Sequence, residues 1–195
     1  MAHEISSLLD RMRALEGLLD AELARRRAEL NVGLEHGRVV FEEEILRRHR
    51  ALQTRLWTYV RNARPLVALT APVIYAGIIP FLLLDLFVTI YQAVCFPVYG
   101  IEKVKRGDYL IFDRSHLAYL NALEKLNCAY CSYGNGLIGY AREITARTEK
   151  HWCPIKHARR AIGAHEHTRE FSDFGDAEAH VRAQEAWQKS RVKGD

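Results

Sequence analysis

The chain is 195 residues long, 49% hydrophobic, with 28 Lys and Arg against 24 Asp and Glu and a formal net charge of +4. So modest a balance, spread over arginine-rich helices with interleaved glutamates, lacks the basic stripe of a nucleic-acid binder, and nucleic acid is set aside as a partner. Four cysteines in a reducing compartment favour metal ligation or simple burial over disulfides.

The N-terminus, MAHEISSLLDRMRALEGLLD, holds Glu4 and Asp10 and no basic region ahead of a short apolar core. It does not have the form of a secretory signal, so both ends are expected in the cytosol. Ile5, Leu8, Met12, Leu15 and Leu19 recur at alternating spacings of three and four, the seam of a coiled coil or helical hairpin. The seam weakens where Glu22 and Arg26 fall at its next positions. Asn31 to Gly37 contains two glycines and reads as a break, after which Phe41, Ile45, Leu52, Leu56 and Val60 predict a second amphipathic helix. Residues 1–64 are therefore expected to form an antiparallel helical arm. It either mediates homo-oligomerisation or partner binding, or its two stripes cover only each other.

Pro65 opens PLVALTAPVIYAGIIPFLLLDLFVTIYQAVCFPVYG, which carries no Lys, Arg or Glu and one acid, Asp85. The run, residues 65–100, exceeds the roughly 20 residues of one spanning helix and is too short for two ordinary spans with a loop. Pro72, Gly77 and Pro80 interrupt its first half. Either one kinked helix crosses the bilayer, or two short arms meet near Gly77 to Pro80 and return to the same face. Arg47, Arg48, Arg50, Arg55, Arg61 and Arg64 precede the run and Lys103, Lys105, Arg106 and Arg114 follow it. Two basic flanks favour a re-entrant hairpin at the cytoplasmic face over a single span. Asp85 would be costly against lipid and is expected to face protein, interfacial water or a partner. Cys95, within the run, reads as a small buried hydrophobe.

Residues 101–161 then read as a compact module. Lys105 to Asp108 is a turn, Tyr109 to Phe112 is extended, and Asp113 or Ser115 could cap a helix through Leu117, Leu120, Leu123 and Leu126. Gly134-Asn135-Gly136 reads as a turn, and Leu137 to Lys150 as a helix with Leu137, Ala141, Ile144 and Thr148 on one face. Cys153-Pro154 would start another helix, with Cys153 as its cap. The polar tail, residues 162–195, carries a short helix from Asp176 to Lys189. His165 and His167 are expected to be solvated there.

Two cysteine clusters supply the candidate chemistry: Cys128-Ala129-Tyr130-Cys131 and Cys153-Pro154-Ile155-Lys156-His157. Cys128, Cys131, Cys153 and His157 would make a closed tetrahedral shell, for which zinc is the first expectation and iron or an iron-sulfur cluster the alternative. Lys156, Arg159 and Arg160 would favour the thiolates. His151 could replace His157, and His116 is a weaker fifth candidate. The order of ligands departs from that of a zinc deaminase, and no phosphate loop or nucleophile elbow is present.

The stretches FPVYGIEKVKRGDY, LNALEKLNCAYCSYGNGL, WCPIKHARR and DFGDAEA resemble an uncharacterised family of bacterial membrane-associated proteins. The resemblance runs from Pro65 through Arg160 and again from Asp173 to Ala179. It implies that the middle of the chain is one unit and carries no activity, cofactor or catalytic residue. The expectation is a mainly α, membrane-associated protein: a metal-binding scaffold, or alternatively a membrane-bound metalloenzyme or electron carrier acting on a lipid-phase substrate.

Overall fold

The computed structural model describes residues 2–29, 32–35, 38–41, 43–159 and 161–192. It is mainly helical, as expected. The chain divides into two compact units, one of Met1–Ala63 with Asp113–Ala129, the other of Arg64–Phe112 with Tyr130–Asp195. The stretch 101–161 is thus shared between them, and the apolar run belongs with the C-terminal half rather than standing alone.

In the first unit, α1 spans Ala2–Glu29. Met12, Leu15 and Leu19 are 45%, 64% and 59% exposed, so among the described residues of this unit these seam positions are uncovered. The side chains of Ile5 and Leu8 lie outside the described residues. No second long helix folds back on α1. Instead β1 (Val32–Glu35) pairs antiparallel with β2 (Arg38–Phe41), followed by α2 (Glu43–Ala51) and α3 (Leu56–Arg61). The expected helical hairpin is corrected on this point. Val32, Val39 and Val40 are β-branched residues that suit an extended backbone, and the amphipathic stripe was counted across two chain breaks. Asn31, His36 and Gly37, part of the expected break, lie outside the described residues. His49 bridges the unit through edge contacts to Phe41 and Tyr119, with ring centroids 5.4 and 5.2 Å apart.

In the second unit, α4 (Pro65–Ala76) and α5 (Ile78–Tyr99) follow each other through Gly77. Pro65 occupies the first turn, where its missing N–H costs nothing. Gly77 keeps helical dihedrals, its amide bonds Ile74 O at 3.1 Å, and Phe81 N reaches Gly77 O at 3.3 Å. The chain therefore does not reverse between Gly77 and Pro80, and the hairpin turn expected there is absent. Pro80 withholds the N–H that Ala76 O would accept, which explains a local irregularity in an otherwise continuous helix. Gly100, at φ 69°, ends α5 in the left-handed conformation, with Ile101 N bonded back to Phe96 O at 2.9 Å.

Ile101–Phe112 returns along α5 as a strap, extended except for a 3-10 turn at Arg106–Asp108 where the sequence predicted a turn, and α6 (Ala122–Trp152) follows. Its cap is Asn121, whose Oδ1 accepts from Leu123 N and Glu124 N at 3.0 Å while Glu124 Oε2 accepts from Asn121 N at 2.9 Å. This reciprocal box starts the helix later than Asp113 or Ser115 would. Gly134 and Gly136 lie inside α6, not in a turn. They are small because neighbours are close: a Cβ on Gly134 would stand 2.8 Å from the Phe81 ring, and one on Gly136 would stand 2.5 Å from Tyr109 O.

Hydrogen bonds and ring contacts order α6 against α5 in one direction: Tyr130 with Ile74, Tyr133 with Asp85, Tyr140 with Gln92, Trp152 with Tyr99. The two helices run parallel, with the strap antiparallel to α5. Val88, Phe96, Val104, Leu137, Tyr140 and Ile144 form the buried core between them. The expected face of Leu137, Ala141, Ile144 and Thr148 is the one that packs inward. Pro154 ends α6, residues beyond it are extended, and Ile155 pairs with Ser172 in a parallel bridge. The last helix, α7 (Ala177–Val192), is capped by Asp176, whose Oδ1 accepts from Ala179 N at 2.9 Å.

Candidate functional site

The four proposed metal ligands do not converge. Cys131 lies within α6, and Cys153 is still in its hydrogen-bond ladder, donating to Glu149 O at 2.8 Å. At the helical rise the two are about 33 Å apart along one rigid axis. Cys128 belongs to the first unit, and His157 lies beyond Cys153 in the extended segment. A tetrahedral site needs donors about 2.0–2.3 Å from one ion, so Cys128, Cys131, Cys153 and His157 cannot share zinc or iron within this chain. Among the described residues no three His, Cys, Asp or Glu side chains gather as a metal shell. The site was expected from the CxxC and CxxxH spacings, and the turn expected at Gly134-Asn135-Gly136 is instead part of the continuous α6 that holds the pairs apart. His151 sits instead in a ring cluster with Tyr99 and Trp152 at 5.5 and 5.0 Å. His116 is exposed in a short 3-10 turn, Asp113–His116. Arg160 lies outside the described residues.

What the second unit does build is an apolar helix turned inside out. Pro65–Tyr99 is a 35-residue helical stretch containing an 18-residue window of mean hydropathy 2.3, long and apolar enough to cross a membrane. Along α4, Leu66, Val67, Leu69, Val73 and Ile74 are all exposed; along α5, so are Ile79, Leu82, Leu83, Leu86, Phe87, Ile90, Val94 and Val98. The polar groups of α5 point the other way, into α6 and the strap. Asp85 is 13% exposed and takes both guanidinium nitrogens of Arg106, with Nη2 to Oδ2 at 2.7 Å, while the Tyr133 hydroxyl donates to Oδ2 at 2.8 Å. Its carboxylate thus faces protein, as expected, though its partner comes from beyond the apolar run.

Seven positions further on, Gln92 is buried and reads the strap backbone on both sides. Its Nε2 donates to Val104 O at 3.3 Å, its Oε1 accepts from Val104 N at 2.6 Å, and Nε2 also reaches the Tyr140 hydroxyl at 2.8 Å. The side-chain amide takes the place of a neighbouring strand, satisfying a backbone pair that burial would otherwise leave unbonded. Cys95, on the flank of this inner face, is partly buried and free.

The far side of α6 carries a second polar cluster that the sequence did not reveal. His165 and His167, expected in solvent, are held against the helix: His165 Nε2 lies 2.8 Å from Glu149 and His167 Nε2 3.2 Å from Glu143. Burial pushes the Glu143 carboxyl upward, but hydrogen bonds from Arg147 and His167 outweigh it and hold the group below the usual carboxylate range. Glu170 is held low by Lys150, whose Nζ is 2.5 Å away. The available signal was Glu143 and Glu149 on neighbouring turns of a helix, with two histidines spaced to reach both.

No known protein family, curated protein or solved structure matches this chain.

Proposed function

We propose that this chain is a membrane-anchored scaffold or interaction protein: α4 and the outer side of α5 seat it in lipid, α6 and the strap face the aqueous side, and α1 joins it to a second copy. The observation that carries this reading is the polarity of α5: its exposed residues are apolar except for Thr89, while its acid and its amide, Asp85 and Gln92, are covered by α6 and the strap. Such an arrangement suits a hydrocarbon environment, where an acid or amide must be satisfied by protein.

The seat we favour lies along the membrane surface. The stretch Pro65–Tyr99 would be about 52 Å long at the helical rise, against a hydrocarbon core of about 30 Å. In addition, α6 accompanies α5 over its length and exposes Asn135, Arg142 and Thr145 on its outer side. A perpendicular α5 would draw those residues, with Glu143 and Arg147, into the bilayer. Lying in the interface, α5 immerses only its outer stripe. Basic residues on both flanks of the run favour the cytoplasmic face.

For α1, a parallel and in-register second copy would pack Met12, Leu15 and Leu19 against their equivalents and set Arg11 opposite Glu16 of the other chain. Nitroxide labels at Leu83, Leu86, Ile90, Val94 and Val98 in reconstituted protein should report similar, shallow immersion. A depth profile running through the bilayer centre would overturn the in-plane seat, and water-exposed labels throughout would overturn the membrane reading itself. Removing residues 1–29 should lower the oligomer mass in detergent, and an unchanged mass would remove α1 from the proposal.

A further inference from the structure

We propose that the open cleft on the side of α6 turned away from α5 binds a small phosphate-bearing anion. The cleft encloses about 690 Å³ and is lined by Arg142, Glu149, Lys156, His157, Arg159 and His165, with the loop Ala161–Ala164 at its rim. One wall is α6. The other is the extended chain after Pro154, fixed by backbone bonds from Lys156 N to Ser172 O at 2.8 Å and from Ser172 N to Pro154 O at 2.9 Å.

The charges in the cleft are unbalanced. Arg142, Lys156 and Arg159 meet two carboxylates, Glu149, engaged by His165 at 2.8 Å, and Asp173, which offsets Lys156. Arg142 spends one nitrogen on Gly163 O, fixing the rim and leaving its other donors available. Lys156 Nζ is braced by Asp173 at 2.7 Å. Neither the Arg159 guanidinium nor the His157 ring makes a hydrogen bond or ion pair with another described residue. Some exposed arginines of this chain are matched one helical turn away, as Arg25 is with Glu22, Arg47 with Glu44 and Arg182 with Glu178.

Arg142 and Arg159 line one cleft with no ion-pair partner among the described residues, and a guanidinium presents paired donors that fit phosphate oxygens. A volume of this size accommodates a phosphate monoester with its alcohol portion, and Ile162 with its alanine neighbours offers that portion an apolar rim. His157, set in the extended segment that follows α6, belongs to this cleft and not to a metal shell.

A phosphate monoester can come from solution or from a lipid headgroup, and two arms of one experiment separate the sources. Full-length protein in detergent micelles is titrated calorimetrically with glycerol 3-phosphate and with inorganic phosphate. The same micellar protein is then titrated with a short-chain phosphatidic acid, with the matching short-chain phosphatidylcholine as control. Saturable binding of glycerol 3-phosphate assigns a soluble ligand; binding that appears only with phosphatidic acid assigns the headgroup. In whichever arm binds, Arg159→Ala should weaken affinity about tenfold, the loss of one charge-assisted hydrogen bond. His157→Ala should weaken it less, and Arg182→Ala on α7 should leave it unchanged. Arg159 braces nothing in the fold, so its removal does not confound binding with folding. Absence of saturable binding in both arms overturns the proposal, as does equal binding by wild type and Arg159→Ala.

Discussion

Replacing Gly136 by alanine tests the packing of the strap on α6 directly. In an open helix the change would be favourable by about 1 kcal/mol, because alanine loses less backbone freedom than glycine. At Gly136 the new Cβ would stand 2.5 Å from Tyr109 O and 3.1 Å from Leu110 Cα. Both are backbone atoms, which cannot rotate away as a side chain can. Overpacking of this kind costs about 1–3 kcal/mol and sometimes more, so the net expectation is a loss of about 1–2 kcal/mol. Gly17 in α1, with nothing within 4 Å of an added Cβ, is the matched control and should gain stability. Gly134 should fall between, since its nearest neighbour at 2.8 Å is the edge of the Phe81 ring, which can swing. Thermal unfolding in mild detergent, followed by circular dichroism, reads all three. A Gly136→Ala protein as stable as the wild type, or more so, would mean the strap does not lie against α6 and would refute this account of the core.

Three further outcomes follow from the inner face of α5 and the far side of α6. Arg106→Ala leaves Asp85 with Tyr133 and Thr89 and should destabilise by about 2–3 kcal/mol; adding Asp85→Asn should recover part of that loss, and strictly additive losses in unfolding measurements would deny the pair. Gln92→Leu removes both partners of the buried Val104 backbone pair and should cost about 1–3 kcal/mol, detectable as faster hydrogen exchange at Val104; an unchanged rate there would contradict it. Because the folded Glu143 carboxyl is held below its usual range, its contribution is present above the unfolded pKa of about 4.3 and is lost as pH falls through the folded value. Unfolding temperatures across that acid range should fall less steeply in Glu143→Gln than in wild type, and parallel slopes would sink the assignment.

Periodicity and composition identified the pieces that depend on near neighbours alone. The apolar run, the seam of α1, the inward face from Leu137 to Thr148 and the terminal helix capped by Asp176 were all legible. What escaped were features decided by distant residues. Two glycines separated by one residue are a turn signal in isolation, yet here they are contact points for Phe81 and Tyr109. Tertiary proximity overrode the local preference. The metal shell was read from ligand spacing alone, which says nothing of the continuous helix that separates Cys131 from Cys153. Asp85 was assigned a protein-facing role from cost alone, but Arg106 lies outside the apolar run and periodicity cannot pair across it. His165 and His167 looked solvated because the chain around them is polar; their partners, Glu149 and Glu143, are on another element.

The parallel arrangement of α5 and α6 bears on how this unit can assemble. Helices joined by a tight turn zip together from their junction, but parallel neighbours share no junction. The bonds that define this pair, such as Gln92 with Tyr140 and Asp85 with Tyr133, each close a separation of 48 residues. Ordering so long a loop must precede any gain from the contact, which makes nucleation slow relative to a hairpin of the same composition. A nascent chain that has reached the strap but not α6 already holds Arg106 for Asp85 while lacking Tyr133 and Tyr140. In such a chain the strap alone would cover the polar side of α5 until α6 is made.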